Sequence, residues 1–193
     1  MKVKDCIEFA VGLTHDHDLK EVLKKVDSGQ ELTEEEGAIL SRYINGVNIA
    51  VDTIASRYYQ NIKEVTVKSD LECRVMYQAL DERVYEVVSV KEKQTGVDVD
   101  FYTLPFSLYL PKGNTEYVVR FKYLPTKALS SDDELEVLPF VPLRAIGYLM
   151  ASDIYLSKSL YDEAKFWFNS FENEINGAVA RRRMRTLNIK KLV

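Results

Sequence analysis

The stretch LRAIGYLMASDIYLSKSLYDEAKFWFNSFENEINGAVARRRMRTLNIKKLV, residues 143–193, decides how the chain around it is read. Leu143, Ile146, Met150 and Ile154 recur in steps of three and four, the spacing of one helix face. Pro142 suits the first helical position, where its missing N–H is no loss. A polar break follows at Ser157-Lys158-Ser159, and Ser159 with Asp162 has the form of a capping box. A second helix then carries Leu160, Ala164, Phe168, Phe171, Ile175 and Val179 on one face. It is predicted to end in the cluster Arg181-Arg182-Arg183-Met184-Arg185. So short a break between two helices predicts an antiparallel hairpin.

Helical spacing returns at the other end, over residues 1–60. Val3, Cys6, Ile7, Ala10 and Val11 mark a short first helix closing near Gly12. Asp18 is expected to cap a second, with Leu19, Val22, Leu23 and Val26 on one face and Ser28-Gly29 as its stop. Thr33 and Glu36 make a capping box for a third helix. Its stripe is Leu40, Tyr43, Ile44, Val47, Val51, Ile54 and Tyr58. That helix spans roughly 25 residues, or about 40 Å at the helical rise. Asn45-Gly46 is the place where it is expected to bend.

Near Asn61 the period drops to two. Val65 and Val67 open the change. Leu71, Cys73, Val75 and Tyr77 alternate with Glu72, Arg74, Met76 and Gln78; Val84, Val88 and Val90 follow. After a turn at Gln94-Thr95-Gly96 come Val97, Val99 and Phe101, then Phe106, Leu108 and Leu110. Beyond Pro111-Lys112-Gly113-Asn114, Tyr117, Val119, Phe121 and Tyr123 alternate with Glu116, Val118, Arg120 and Lys122. These segments predict five or six strands joined by close turns, hence antiparallel pairing. The expected fold class is α+β: a helical bundle formed by both chain ends, with an inserted antiparallel β block, a small sandwich or open barrel. Its parts are an N-terminal helical part at 1–60, a β insertion at 61–126, and at 127–193 an acidic connector, the helical hairpin and a basic tail. The last part is expected to pack with 1–60.

The chain has 193 residues and a net charge of −4, unevenly spread. Arg181, Arg182, Arg183, Arg185, Lys190 and Lys191 stand in the last 13 residues with no acid, so the first 180 residues carry −10. One or two cations would complement a helix dipole; six suggest an arm that meets an acidic surface. The charged start, Met1-Lys2-Val3-Lys4-Asp5, reads as a helix and not as a signal peptide. No apolar run approaches the roughly 18 residues a membrane span needs. The expectation is synthesis in the cytoplasm of the producing cell, with Cys6 and Cys73 as reduced, partly buried thiols.

No motif for a reaction stands out. His15 and His17 could ligate a metal, but no third histidine exists, and a polar loop with Asp18 as cap is the plainer reading. Asp132, Asp133, Glu134 and Glu136 lack the spacing and central glycine of a calcium loop, which leaves a solvated connector. There is no Gly-x-Ser-x-Gly, no glycine-rich phosphate loop, and no selected carboxylate pair. The reading is therefore of a non-enzyme without cofactor or metal. Phe166, Trp167 and Phe168 are consecutive, so at least one must face a neighbouring element or subunit.

These residues carry a resemblance. Phe121-Lys122-Tyr123-Leu124-Pro125, the acidic connector, Leu138-Pro139 and a helix over 143–156 come first. Asp162-Glu163-Ala164-Lys165-Phe166-Trp167-Phe168 and the arginines follow. Together they resemble the C-terminal part of tailed-bacteriophage head-to-tail adaptors, also called connector, neck or head-completion proteins. The Thr33–Glu36 box opening a long helix is similar to their N-terminal half. The resemblance implies a structural virion protein at the capsid–tail junction. It would be one subunit of a homo-oligomeric ring, dodecameric in such proteins, that joins the portal to a tail or tail-completion protein and extends the DNA channel. DNA would pass without specific binding, and no membrane is involved. Carried over, Arg181, Arg182, Arg183, Arg185, Lys190 and Lys191 would contact the portal, and Phe166, Trp167 and Phe168 would lie at the subunit interface. The alternative is a binding module whose β block holds nucleic acid or a ligand, with helices for dimerisation.

Overall fold

The computed structural model describes residues 1–137 and 140–190; for Val179 and residues 181–190 only the backbone is described. Leu138 and Pro139, which entered the resemblance, and Lys191 lie outside the described residues. The chain is α+β. Helices α1 (Val3–Thr14), α2 (His17–Asp27) and α3 (Glu34–Arg57) come first. Strands β1 (Asn61–Lys68), β2 (Arg74–Met76), β3 (Arg83–Glu92), β4 (Tyr102–Thr103), β5 (Ser107–Tyr109) and β6 (Glu116–Leu124) follow. Helices α4 (Leu143–Ser157) and α5 (Tyr161–Lys190) close the chain. Two compact units result: Met1–Thr53 with Lys127–Val193, and Ile54–Thr126.

In the helical unit most of each predicted stripe is buried or half-buried, but Leu160, which precedes α5, is 42% exposed and Phe168 37%. Val3, Cys6, Ile7, Ala10 and Val11 of α1 are buried, as are Leu19, Val22 and Leu23 of α2. Ile146 and Met150 of α4 and Ala164, Phe171 and Ile175 of α5 are buried too. Each Val, Leu, Ile, Met or Phe among them stabilises by about 1.5–3 kcal/mol on leaving water. The Thr33–Glu36 box is formed in both directions: the Thr33 N–H donates to Glu36 Oε2 at 3.0 Å and the Glu36 N–H to Thr33 Oγ1 at 3.3 Å. The helix it opens runs unbroken through Asn45-Gly46. Ser28-Gly29 does stop α2. Gly29 turns left-handed at φ 68°, and the Gln30 N–H reaches back to the Lys25 carbonyl at 3.0 Å.

Several ends differ from the sequence reading, each for a local reason. Asp16, not Asp18, caps α2, because Asp16 is extended and its Oδ1 accepts from the Leu19 N–H at 3.2 Å. Helix α1 runs on past Gly12 to Thr14, whose hydroxyl donates to the Ala10 carbonyl at 3.0 Å. Pro142 sits just before α4 as its cap, in extended conformation. Ser159 does not open α5. It closes α4 in the left-handed conformation at φ 60°. There the Ser159 N–H meets the Leu156 carbonyl, and the Leu160 N–H meets the Tyr155 carbonyl, both at 3.0 Å. Helix α5 does not end at the arginines; its backbone stays helical to Lys190.

The acidic connector is tied down. Its carbonyls at Asp133 and Ser131 accept from the Val3 and Lys4 N–H groups, at 3.0 and 2.9 Å, and so satisfy donors that α1 cannot pair internally. The Asp133 carboxylate accepts from the N–H groups of Leu129 and Ser130, which hold it below the usual carboxylate range. On α3, Asn48 clasps the Ala128 backbone with a donated and an accepted hydrogen bond, both 2.9 Å and both buried.

The second unit holds two three-stranded antiparallel sheets, ordered β1-β6-β3 and β2-β5-β4. Val67, Val90, Tyr117, Val119 and Phe121 of the first meet Val75 and Leu108 of the second in one apolar core, joined by Leu80 from a 3-10 turn and by Leu110. Two predicted strands are shorter than their alternation suggested. Leu71 and Cys73 fall in a turn, where Cys73 adopts φ 64°, so only Arg74–Met76 pairs. Val97–Asp100 makes an isolated bridge, Asp98 to Lys91, before the short β4. In β3 the register slips at Tyr85 and again at Val88, and both side chains are exposed. Such bulges twist an edge strand away from further pairing.

Candidate interaction surfaces

Helix α5 spreads its aromatic triplet around its axis, since each residue turns about 100° from the last. Ala164, Phe171, Ile175 and Ala178 define its buried side. Trp167 and Phe168 fall on the two margins of that side, and Phe166 points nearly opposite. Trp167 stacks on Tyr148 of α4, centroids 5.6 Å apart and planes at 19°. Tyr148 in turn takes the edge of Phe9 of α1 at 5.6 Å. This stack depends on Gly147, because a Cβ there would lie 2.2 Å from Cδ1 of Phe9. Phe168 is 37% exposed and leans on Phe171 at 5.9 Å. Phe166 is 60% exposed and touches the molecule by an edge contact to Trp167 at 4.9 Å. From Phe166 toward Ala180 the same side carries Asn169, Ser170, Asn173 and Gly177, with no charge among them. The side chains of Arg181, Arg182, Arg183, Arg185 and Lys190 lie outside the described residues, as does Lys191 altogether.

A cleft of about 440 Å³ opens between the start of α2, α3 and α4. Ile39, Ile49, Met150 and Ile154 line it, with Asp18, Arg42, Asp153 and Lys158 on the rim. Asp16 sits at one end, where its Oδ2 accepts from the Tyr43 hydroxyl at 2.6 Å. Burial works against ionisation of Asp16, yet the Tyr43 hydroxyl and the Leu19 N–H outweigh it and hold the carboxyl low. Asp153 has no such support, and partial withdrawal from water raises its carboxyl. Charges of both signs on one rim select no ligand class. His15 and His17 fall at the α1–α2 corner, and no group of three or more potential metal ligands occurs among the described residues. Cys6 is fully buried, and burial pushes its thiol up to about 12, which makes it inert.

The β unit holds a surface that sequence reading missed. Register places Tyr102 of β4 opposite Tyr109 of β5, and Tyr109 opposite Arg74 of β2. Directly paired residues share a face. Their neighbours Val75 and Leu108 point into the core, so this row points out. Tyr102 is 71% exposed and Tyr109 43%; Phe106, in the β4–β5 turn, is 76% exposed. Arg74 pairs with Glu72 at 3.4 Å. Asp100 lines a shallow cavity of about 320 Å³ beside Tyr102. The outer face of the other sheet is laced with ion pairs instead: Lys122–Glu86 at 2.6 Å, Lys93–Glu116 at 3.0 Å and Arg120–Glu64 at 3.7 Å. Alternation in 97–110 announced strands, but nothing local announced which residues would stand side by side.

No protein-family model matches the chain, and no curated protein matches it either.

Proposed function

We propose that the chain is a ring subunit of a tailed-phage head-to-tail adaptor, a structural virion protein that joins the portal to the tail and extends the DNA channel. The observation that carries this reading is the outward side of α5. A solvated helix face is normally charged. This one presents Phe166 and then only small or uncharged groups up to Ala180, a surface on which a neighbouring subunit can lie closely. Trp167 backs Phe166 from inside, and Phe168 widens the apolar margin. The basic residues that follow, Arg181 to Arg185, Lys190 and Lys191, are the portal-facing group in this reading. A body with net charge −10 over 180 residues would let DNA pass without adhering. The alternative, nucleic acid stacking on the tyrosines of the β unit, is opposed by the carboxylates of Glu72, beside Arg74, and Asp100, beside Tyr102.

The test is negative-stain electron microscopy of the purified chain mixed with the portal protein of the same genome. The expected result is an added ring of density below the portal. Phe166→Glu, and separately reversal of Arg181, Arg182 and Arg183 to Glu, should abolish it while the far-ultraviolet circular dichroism stays unchanged. Portals that stay bare with the wild-type chain would overturn the proposal.

A further inference from the structure

The two edges of the β1-β6-β3 sheet differ. The β3 edge is closed. Bulges at Tyr85 and Val88 interrupt it, and the segment 97–99 covers the rest: the Val99 N–H donates to the Val90 carbonyl at 2.9 Å and the Glu92 N–H to the Val97 carbonyl at 3.0 Å. Strand β1 instead pairs with β6 over eight residues without a register shift. Just beyond it the Ser69 N–H donates to the Thr115 carbonyl, which fixes the alternation: odd-numbered residues of β1 bond β6. The N–H and C=O groups of Ile62, Glu64, Thr66 and Lys68 therefore point away from β6. They have no hydrogen-bond partner among the described residues, and all four residues are exposed. An open edge without bulge or proline is a template for another strand.

The strand that fits it is β1 itself. A two-fold axis through Thr66, normal to the sheet, lays β1 antiparallel to β1 of a second copy. Thr66 then meets Thr66, and Glu64 meets Lys68 on either side, each pair exchanging both backbone hydrogen bonds. Val65 and Val67 pack toward the core, so these three side chains share the outer face. Within the chain Glu64 lies opposite Arg120, at 3.7 Å, and Lys68 opposite Glu116. Glu116 is already bound by Lys93 at 3.0 Å, and Lys68 makes no ion pair of its own among the described residues. Across the junction one row would read Arg120 and Glu64, then Lys68, Glu116 and Lys93 of the second copy. The sign alternates at every step, and symmetry makes the row twice. An isologous contact requires this self-complementarity.

We propose that a second copy of this chain docks on the open edge of β1, in the register centred on Thr66, so that the free protein is a two-fold dimer with one sheet continuous through both copies. Only one short strand of each copy meets the other, which places the dimer in the weak, concentration-dependent class. The contact lies in a different unit from α5 and stands whether or not the adaptor reading holds.

The experiment is sedimentation equilibrium of the full chain over a dilution series at micromolar concentrations. The wild type should show a reversible monomer–dimer equilibrium. Thr66→Pro removes an outward N–H without touching the bonds to β6, and should leave a folded monomer by circular dichroism. Lys68→Glu, an exposed change that keeps the fold, should weaken the dimer about tenfold, since two attractive cross-copy pairs become repulsive. In a Cys73→Ser background, Thr66→Cys should form a disulfide-linked dimer on mild oxidation, because the axis brings position 66 to itself. Ile62→Cys, equally exposed but far from the axis, should not. A wild type that is monomeric throughout, a dimer indifferent to Lys68→Glu, or Ile62→Cys cross-linking as readily as Thr66→Cys would refute the proposal. So would a dimer dissolved by Phe166→Glu, which would place the contact on α5. Portal decoration is a separate readout, so failure of one proposal is visible apart from the other.

Discussion

Helix α5 and the β2-β5-β4 sheet hold similar side chains and use them oppositely. On the helix, three consecutive aromatics are turned apart, and the backbone assigns them different duties. Trp167 is spent on Tyr148, Phe168 leans on Phe171, and only Phe166 is sent outward. In the sheet, residues distant in sequence are gathered into one row: Arg74, Tyr102 and Tyr109. A helix disperses a local cluster, whereas a sheet assembles a cluster from dispersed parts. The two surfaces therefore differ in what holds them. Phe166 rests on one helix and its stack, while the tyrosine row rests on a core shared by two sheets.

The largest effect should come from removing that shared core. Phe121 is fully buried on β6 between the two sheets. Phe121→Ala is expected to cost about 3–5 kcal/mol, the transfer term plus the cavity left behind. Chemical denaturation followed by tyrosine fluorescence and by circular dichroism should report it. Both sheets should loosen together. If the tyrosine row kept its environment while the β1-β6-β3 sheet melted, the row would not depend on the core and the comparison would fail.

The same contrast explains how far the sequence could be read. Each helix has its signal within a few residues: Thr33 with Glu36, Ser28 with Gly29, and stripes at steps of three and four. The long strands β1 and β6 were legible from alternation, and so was the order of helices, strands and helices; β3 was legible as a strand, but its bulges turn Val88, read with Val84 and Val90, outward. Ends were less legible, because a serine can serve either of two helices. Ser159 has the right spacing to open α5, but its left-handed backbone closes α4 instead. Leu71 and Cys73 alternate like a strand yet lie in a turn, since pairing is decided by what lies opposite and only Arg74–Met76 finds β5. The tyrosine row was invisible for the same reason: register is a property of two segments at once.

A middle-sized effect tests the helical half. Trp167 is half-buried, so Trp167→Ala removes less area than a core truncation, together with the stack on Tyr148. The expected loss is about 2 kcal/mol, measured by thermal unfolding. Phe166→Ala on the opposite side should stay within about 0.5 kcal/mol, as exposed substitutions do. Equal losses for the two would mean that α5 does not sort its aromatics as its geometry implies.

The smallest effect concerns an aromatic used for its polar end. The Tyr43 ring is buried on α3, and its hydroxyl donates to Asp16 at the cap of α2. Burial and then the Asp16 bond push the phenol up, while the same bond helps to hold the carboxyl below its ordinary value of 3.8. Tyr43→Phe keeps the ring and removes the bond, at a cost of about 1 kcal/mol for a bond to a charged group that solvent partly screens. The sign of the pH dependence follows from the lowered carboxyl. Its stabilisation is complete above 3.8, where the unfolded chain is also ionised, and fades as pH falls through the lower folded value. Wild type and Tyr43→Phe should therefore differ most near neutrality and converge in acid, which denaturation midpoints across that range can measure. A gap that widened in acid would mean that the hydroxyl favours the protonated carboxyl, and that Tyr43 supports the cap through its ring alone.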